Sequence, residues 1–152
     1  MLSPTPQRSW LAALAIYCRA PVITMLFLGF SAGLPFLLVF STLSAWLRSD
    51  GVEVAAIGFF AWIGMLYSIK FFWAPVVDRL ALPLMTRTFG QRRCWMLLAQ
   101  GMIAAGLVGL AGVSPVGNLG WVALFALLVA FGSATQDIAI DAYRIESADD
   151  NV

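Results

Sequence analysis

Between Pro21 and Leu47 the chain carries no charged side chain. A helix needs about 20 apolar residues to cross the hydrocarbon of a bilayer, so this run is long enough to cross with tilt. Three more apolar stretches follow, at about 54–77, 94–113 and 121–143, and they hold only Lys70, Asp137 and Asp141 as charges. A backbone with no water around it must satisfy its own hydrogen bonds, which leaves helices or closed barrels. Runs of this length are helices. The expected fold is therefore all-α: a polytopic membrane protein with four transmembrane helices.

Composition agrees. Hydrophobic residues make up 61% of the chain and charged ones 11%, against about 45–50% and 25% in soluble domains. A net charge of +1 gives no concentrated basic face for nucleic acid. With no His and two Cys, a zinc centre has too few ligands, and no cofactor or metal is expected. No phosphate loop, zinc-protease motif or serine elbow is present, so the chain does not read as an enzyme.

Residues 1–20 are too short in apolar length to span. Trp10 and Tyr17, flanked by Arg8 and Arg19, fit a helix lying at the interface. Residues 21–144 hold the four helices, and 145–152 form a polar tail. Basic residues set the orientation. Arg8 and Arg19 precede the first helix, and Arg79, Arg87, Arg92 and Arg93 fill the second loop, whereas the first loop has only Arg48 and the third none. Both termini and the second loop are thus expected in the cytoplasm, where Cys18 and Cys94 would stay free thiols.

Small residues predict where helices approach one another. Gly29 and Gly33 form a GxxxG pair. Gly101, Ala105 and Gly109 recur every four positions, as do Ala126, Ala130 and Ala134. Small faces of this kind let helix backbones come close. Pro35 removes a backbone hydrogen bond near mid-span and predicts a kink.

The chemistry concentrates in GSATQDIAIDAYR, residues 132–144. Asp137 and Asp141 are four apart and share a helix face with Ser133, in a stripe continuing to Arg144. Gln136, about 100° away, can face the same cavity edge. A charge at the bilayer centre costs about 2.5–3.5 kcal/mol on insertion scales, so intramembrane acids point to a proton path. Lys70 either snorkels to the interface or pairs with one of these acids. An ammonium beside a carboxylate competes with the proton for it, which is a coupling device. Asp141 can instead end the helix by pairing with Arg144. Trp62 and Trp73 either pack against lipid and neighbours or stack on a sugar.

The second loop reads APVVDR at 74–79 and GQRR at 90–93. This resembles the loop between the second and third helices of the major facilitator superfamily, with Ala74 in place of its first Gly and a longer insertion. The resemblance implies that Asp78, Arg79, Arg92 and Arg93 hold helix ends together in one conformational state. GFSAGLPFLL (29–38), IGFFAWIG (57–64), KFFWAPVVDR (70–79), FGQRRCW (89–95) and SATQDIAIDAYR (133–144) together are similar to the AmpG muropeptide permease family, over essentially all of 21–144. Eukaryotic acetyl-CoA transporters share parts of these motifs. The resemblance implies proton-driven import of anhydromuropeptides, released in cell-wall recycling, across a bacterial inner membrane. It also implies that the four helices are an incomplete amino-terminal half of a fold of twelve or more spans. The chain would then be a piece of a longer transporter, a shortened reading frame, or a chain that works with other copies. The competing readings are a small four-span oligomer that exports by proton coupling, and a membrane scaffold whose acids are structural.

Overall fold

The computed structural model describes residues 10, 14, 17–80 and 90–149. The expected interfacial segment at 1–20 lies mostly outside these. Its described members Trp10, Leu14 and Tyr17 are helical and exposed. Among the described residues there is no strand. Four helices are long and apolar enough to cross a membrane: a first span Ala20–Ser49, a second Val54–Phe72, a third Gln91–Ala111 and a fourth Leu119–Ile145. The chain is thus an all-α, multi-pass membrane protein. Gly51 in the first connection and Gly117 in the third adopt φ of 81° and 83°, which side-chain-bearing residues resist. The fourth helix runs on to Asp149, past the point where the sequence turns polar. Helical hydrogen bonding needs no apolar surroundings once the chain leaves them.

The fourth span is the centre of the assembly. In its most apolar window 61% of residues are buried, against 17% or less in the other three. Its Val122, Ala126, Val129, Ala130 and Ala134 are fully covered. The third helix lies along it closely. A Cβ added at Gly106 would meet Val129 at 2.6 Å and the Phe125 carbonyl at 3.0 Å, and one added at Gly132 would meet the Ala99 carbonyl at 2.9 Å. Only glycine permits this approach of backbone to backbone. The expected ladder on the fourth span holds. That on the third is rotated: Ala99, Ile103, Gly106 and Leu110 are buried, whereas Gly101 and Ala105 face outward and only Gly109 of the expected set meets a neighbour, the Phe125 ring. Large and small residues interdigitate across this seam, so the small-residue period alone does not locate it.

The first span packs through Pro35, Val39, Leu43 and Leu47, which are all buried. A strict four-residue period drifts about 40° per turn on a 3.6-residue helix. A π-helical segment at Leu38–Thr42, where the Leu43 N–H donates to the Leu38 carbonyl, takes up part of that drift. It follows directly after Pro35, whose missing N–H already weakens the ladder. Gly29 and Gly33 lie on the other face and have nothing within 4 Å of an added Cβ. The close helix approach expected at this pair is absent among the described residues, because the first span turns its Pro35–Leu47 stripe inward.

The second span is broken twice. Turns of 3₁₀ helix at Ala61–Gly64 and Lys70–Phe72 interrupt its α-helical pieces, and Pro75 opens a last helix, Ala74–Arg79. Gly64 leaves room for the Phe40 ring, which stands 4.6 Å from Phe36 and 6.0 Å from Tyr67 between centroids.

These contacts predict opposite outcomes for two substitutions on one helix. Gly106→Val should destabilise the folded chain in detergent by about 1–3 kcal/mol through overpacking. Gly101→Val, on the open face, should leave the unfolding midpoint within experimental scatter.

Candidate functional site

Three consecutive polar positions on the fourth span reach different neighbours because successive helical residues point about 100° apart. The Thr135 hydroxyl donates to the Phe131 carbonyl at 2.8 Å in its own helix. Gln136, 1% exposed, donates from Nε2 to Ser31 Oγ at 3.1 Å on the first span. Ser31 is the residue whose carbonyl loses its helical donor at Pro35. Asp137 turns to the second span. Gln136 and Asp137 therefore do not share one cavity edge: they join two different helices to the fourth.

Lys70 stands between the acids. Its Nζ is 3.5 Å from Asp137 Oδ2 and 3.9 Å from Asp141 Oδ2. Arg144 Nη1 lies 3.9 Å from the other oxygen of Asp141. The four charges form a chain from the interior toward one end of the bundle. Asp137 is the most covered, with 23% of its side chain exposed, and Asp141 and Arg144 are more than half exposed. Lys70 is placed here by the break in the second span, since it opens the 3₁₀ turn that follows Met65–Ile69. One turn away, the Tyr67 hydroxyl lies against that of Ser133 without reaching hydrogen-bond geometry.

The loop residues form a second cluster at the same end. Arg92 Nη1 is 3.6 Å from Asp78 Oδ1, while Arg79 and Arg93 are exposed. Two residues to which the sequence assigned no role do much of the joining. Gln91 Nε2 donates to the carbonyls of Val77 and Asp78 at 3.2 and 2.6 Å, and Trp95 Nε1 donates to that of Leu80 at 3.0 Å. These carbonyls end the last helix of the second span and have no helical donor of their own. The sequence signal is a helix end at Arg79 followed, across the loop, by a Gln and a Trp in the first turns of the next helix. The insertion at 81–89, with Arg87, lies outside the described residues.

The tryptophans stand apart from the ion cluster. Trp62 is 66% exposed, stacks on Phe59 and lines an apolar groove of about 520 Å³ with Ile63, Ala123 and Leu127. The Trp73 ring packs on Phe131 at 5.1 Å. Among the described residues no group of His, Cys, Asp or Glu could hold a metal ion. Cys18 and Cys94 are both unpaired.

A family model described as Acetyl-coenzyme A transporter 1 matches residues 22–114. The chain belongs to this family of membrane transporters. It is also 36% identical over 133 residues, 88% of its length, to the anhydromuropeptide permease of Escherichia coli K12. A Rickettsia conorii protein named as a candidate AmpG transporter is 37% identical over 80% of the chain. An uncharacterised protein of Haemophilus influenzae is 40% identical over 82%. The AmpG resemblance seen in the motifs thus extends along most of the chain. The named relatives are transporters and permeases, not enzymes. The chain spans about a quarter of their length: 26%, 29% and 28% respectively.

The ion chain makes a direct prediction about coupling. A double-mutant cycle of Lys70→Met and Asp137→Asn should give an interaction of about 0.5–3 kcal/mol, read from unfolding in detergent. The paired change should be milder than the sum of the single ones, because each single change leaves a charge unpartnered.

Proposed function

We propose that the chain is the amino-terminal part of a proton-coupled secondary transporter that imports anhydromuropeptides across a bacterial inner membrane. The second loop and both ends of the chain face the cytoplasm in this reading. The observation that carries it is the Lys70–Asp137–Asp141 chain, held between two spans of a protein related to permeases. A carboxylate that gives up Lys70 when it takes a proton, and regains it on release, changes how the second and fourth spans are joined. Alternating access needs such a link between ion loading and helix movement.

The other residues take supporting roles. Gln136 and Ser31 tie the first span to the fourth, beside the Pro35 and π-helical irregularity that marks a substrate path. Asp78 and Arg92, steadied by Gln91 and Trp95, latch the cytoplasmic ends of the second and third spans in one state, with Arg79 and Arg93 available to the other. Trp73 is the better candidate for substrate contact, because its indole nitrogen is buried without a partner. Trp62 faces lipid. The open Gly29 and Gly33 face receives a further helix, from the remainder of the transporter or from another copy. A second reading, transport of acetyl-coenzyme A, follows from the matching family.

In the complete gene product, Asp137→Asn should abolish proton-driven uptake of labelled anhydromuropeptide while membrane insertion stays normal. Uptake at the native rate would sink the coupling assignment. Saturable uptake of acetyl-coenzyme A, with none of muropeptide, would favour the second reading.

A further inference from the structure

Tyr67 and Ser133 are the unexplained pair beside the ion chain. Tyr67 Oη and Ser133 Oγ are both buried side by side, and neither has a partner within hydrogen-bond geometry. Ser133 is wholly covered. Buried hydroxyls are almost always satisfied, and an exception asks for a reason. Both belong to the seam that holds the acids. Tyr67 precedes Lys70 by three residues and Ser133 precedes Asp137 by four, so each lies one turn back on the same helix face. Helical side chains lean toward the amino terminus of their helix, so the Asp137 carboxyl hangs over the turn of Ser133.

We infer that Asp137 has two alternative sets of partners, Lys70 when ionised and the Tyr67–Ser133 hydroxyl pair when protonated. The inference rests on the proton-linked reading above and adds positioning residues to it. A carboxylate only accepts, and the Lys70 ammonium only donates. Once protonated, the acid has no charge to hold Lys70, and it gains a donor. Its O–H then donates to Ser133 Oγ, and its C=O accepts from the Tyr67 O–H. Every polar atom of the pair is satisfied in that arrangement. The proton goes from the aqueous side to a carboxylate oxygen, and no other bond is made or broken. A rotamer change of Asp137 across one helical turn is the only movement required.

The charged groups around Asp137 are few. Lys70 and Tyr67 face it from the second span, and Asp141 with Arg144 from its own helix. The first span's one charge, Arg48, lies at its far end, and the third helix's Arg92 and Arg93 open it, Arg92 beside Asp78. Lys70, shared with Asp141, and the hydroxyl pair therefore decide between the two states.

The test uses the complete gene product in proteoliposomes and in infrared difference spectra between neutral and acid pH. Tyr67→Phe and Ser133→Ala should each move the pH profile of uptake toward acid by about half to one unit, the scale of one hydrogen bond. Lys70→Met should move it the opposite way. A protonated-carboxyl band, identified by its loss in Asp137→Asn, should shift to the frequency of a freer C=O in Tyr67→Phe. An unshifted band in both hydroxyl variants, or no Asp137 band at all, overturns the inference. So do pH profiles that coincide with the wild type while Asp137→Asn still abolishes uptake. If Asp137→Asn transports normally, it is the coupling reading that fails, and the infrared band then decides the hydroxyl assignment without reference to transport.

Discussion

Within a bilayer no water stands ready to satisfy a polar group, and every buried donor, acceptor or charge must find its partner in the protein. That constraint organises this bundle. The backbone is closed by four helices, and most of the polar side chains of the fourth span's inner segment take a defined neighbour. Thr135 returns to its own helix, Gln136 crosses to the first span, and Asp137 crosses to the second. Three residues in succession thus fasten the fourth span to itself and to two others. Lipid gives helices little reason to associate through apolar contact, so these bonds and the Gly106 and Gly132 contacts do much of the holding.

Irregular backbone then positions the chemistry. The second span abandons α geometry where Lys70 begins a 3₁₀ turn, and the first abandons it just after Pro35. Both breaks adjoin the fourth span's polar segment: Lys70 contacts Asp137, and Ser31, one turn before Pro35, contacts Gln136. A regular helix carries side chains at fixed 100° intervals. A local change of pitch re-aims one side chain without turning the rest of the span.

Much of this was legible in sequence because hydrocarbon imposes simple rules. Charge-free runs located the helices, and two acids four apart in an apolar run marked the segment where the ion pairs lie. Lys70 could be proposed as their partner because few other charges lie within the apolar runs. The failures have physical causes as well. The GxxxG rule identifies a face able to accept a helix and says nothing of which helix arrives, so Gly29 and Gly33 are open here. On the third helix, Phe125 and Val129 fill the hollows at Gly106 and Gly109, and the contact face is set by that fit instead of by the four-residue repeat. Gln136 stands only 100° from Asp137, an offset that allows one shared cavity edge, yet it suffices to send the two side chains to different helices. Gln91 and Trp95 went unassigned because their partners are carbonyls at a helix end, which appear only once the helix end is known.

The two clusters at one end of the bundle share the second span. Asp137 meets Lys70 on the second span, and nine residues later the same span ends at Arg79, where Gln91, Arg92 and Trp95 bind its last carbonyls and Asp78. Ala139, on the fourth helix between the two acids, lines the small polar cavity of about 270 Å³ formed by Asp78, Gln91 and Arg92. The short piece between the two clusters contains Pro75 and a 3₁₀ turn, which interrupt the α-helical ladder and offer a place for bending. Ion pairing inside the seam and hydrogen bonding at the loop thus hold one broken span on either side of Pro75.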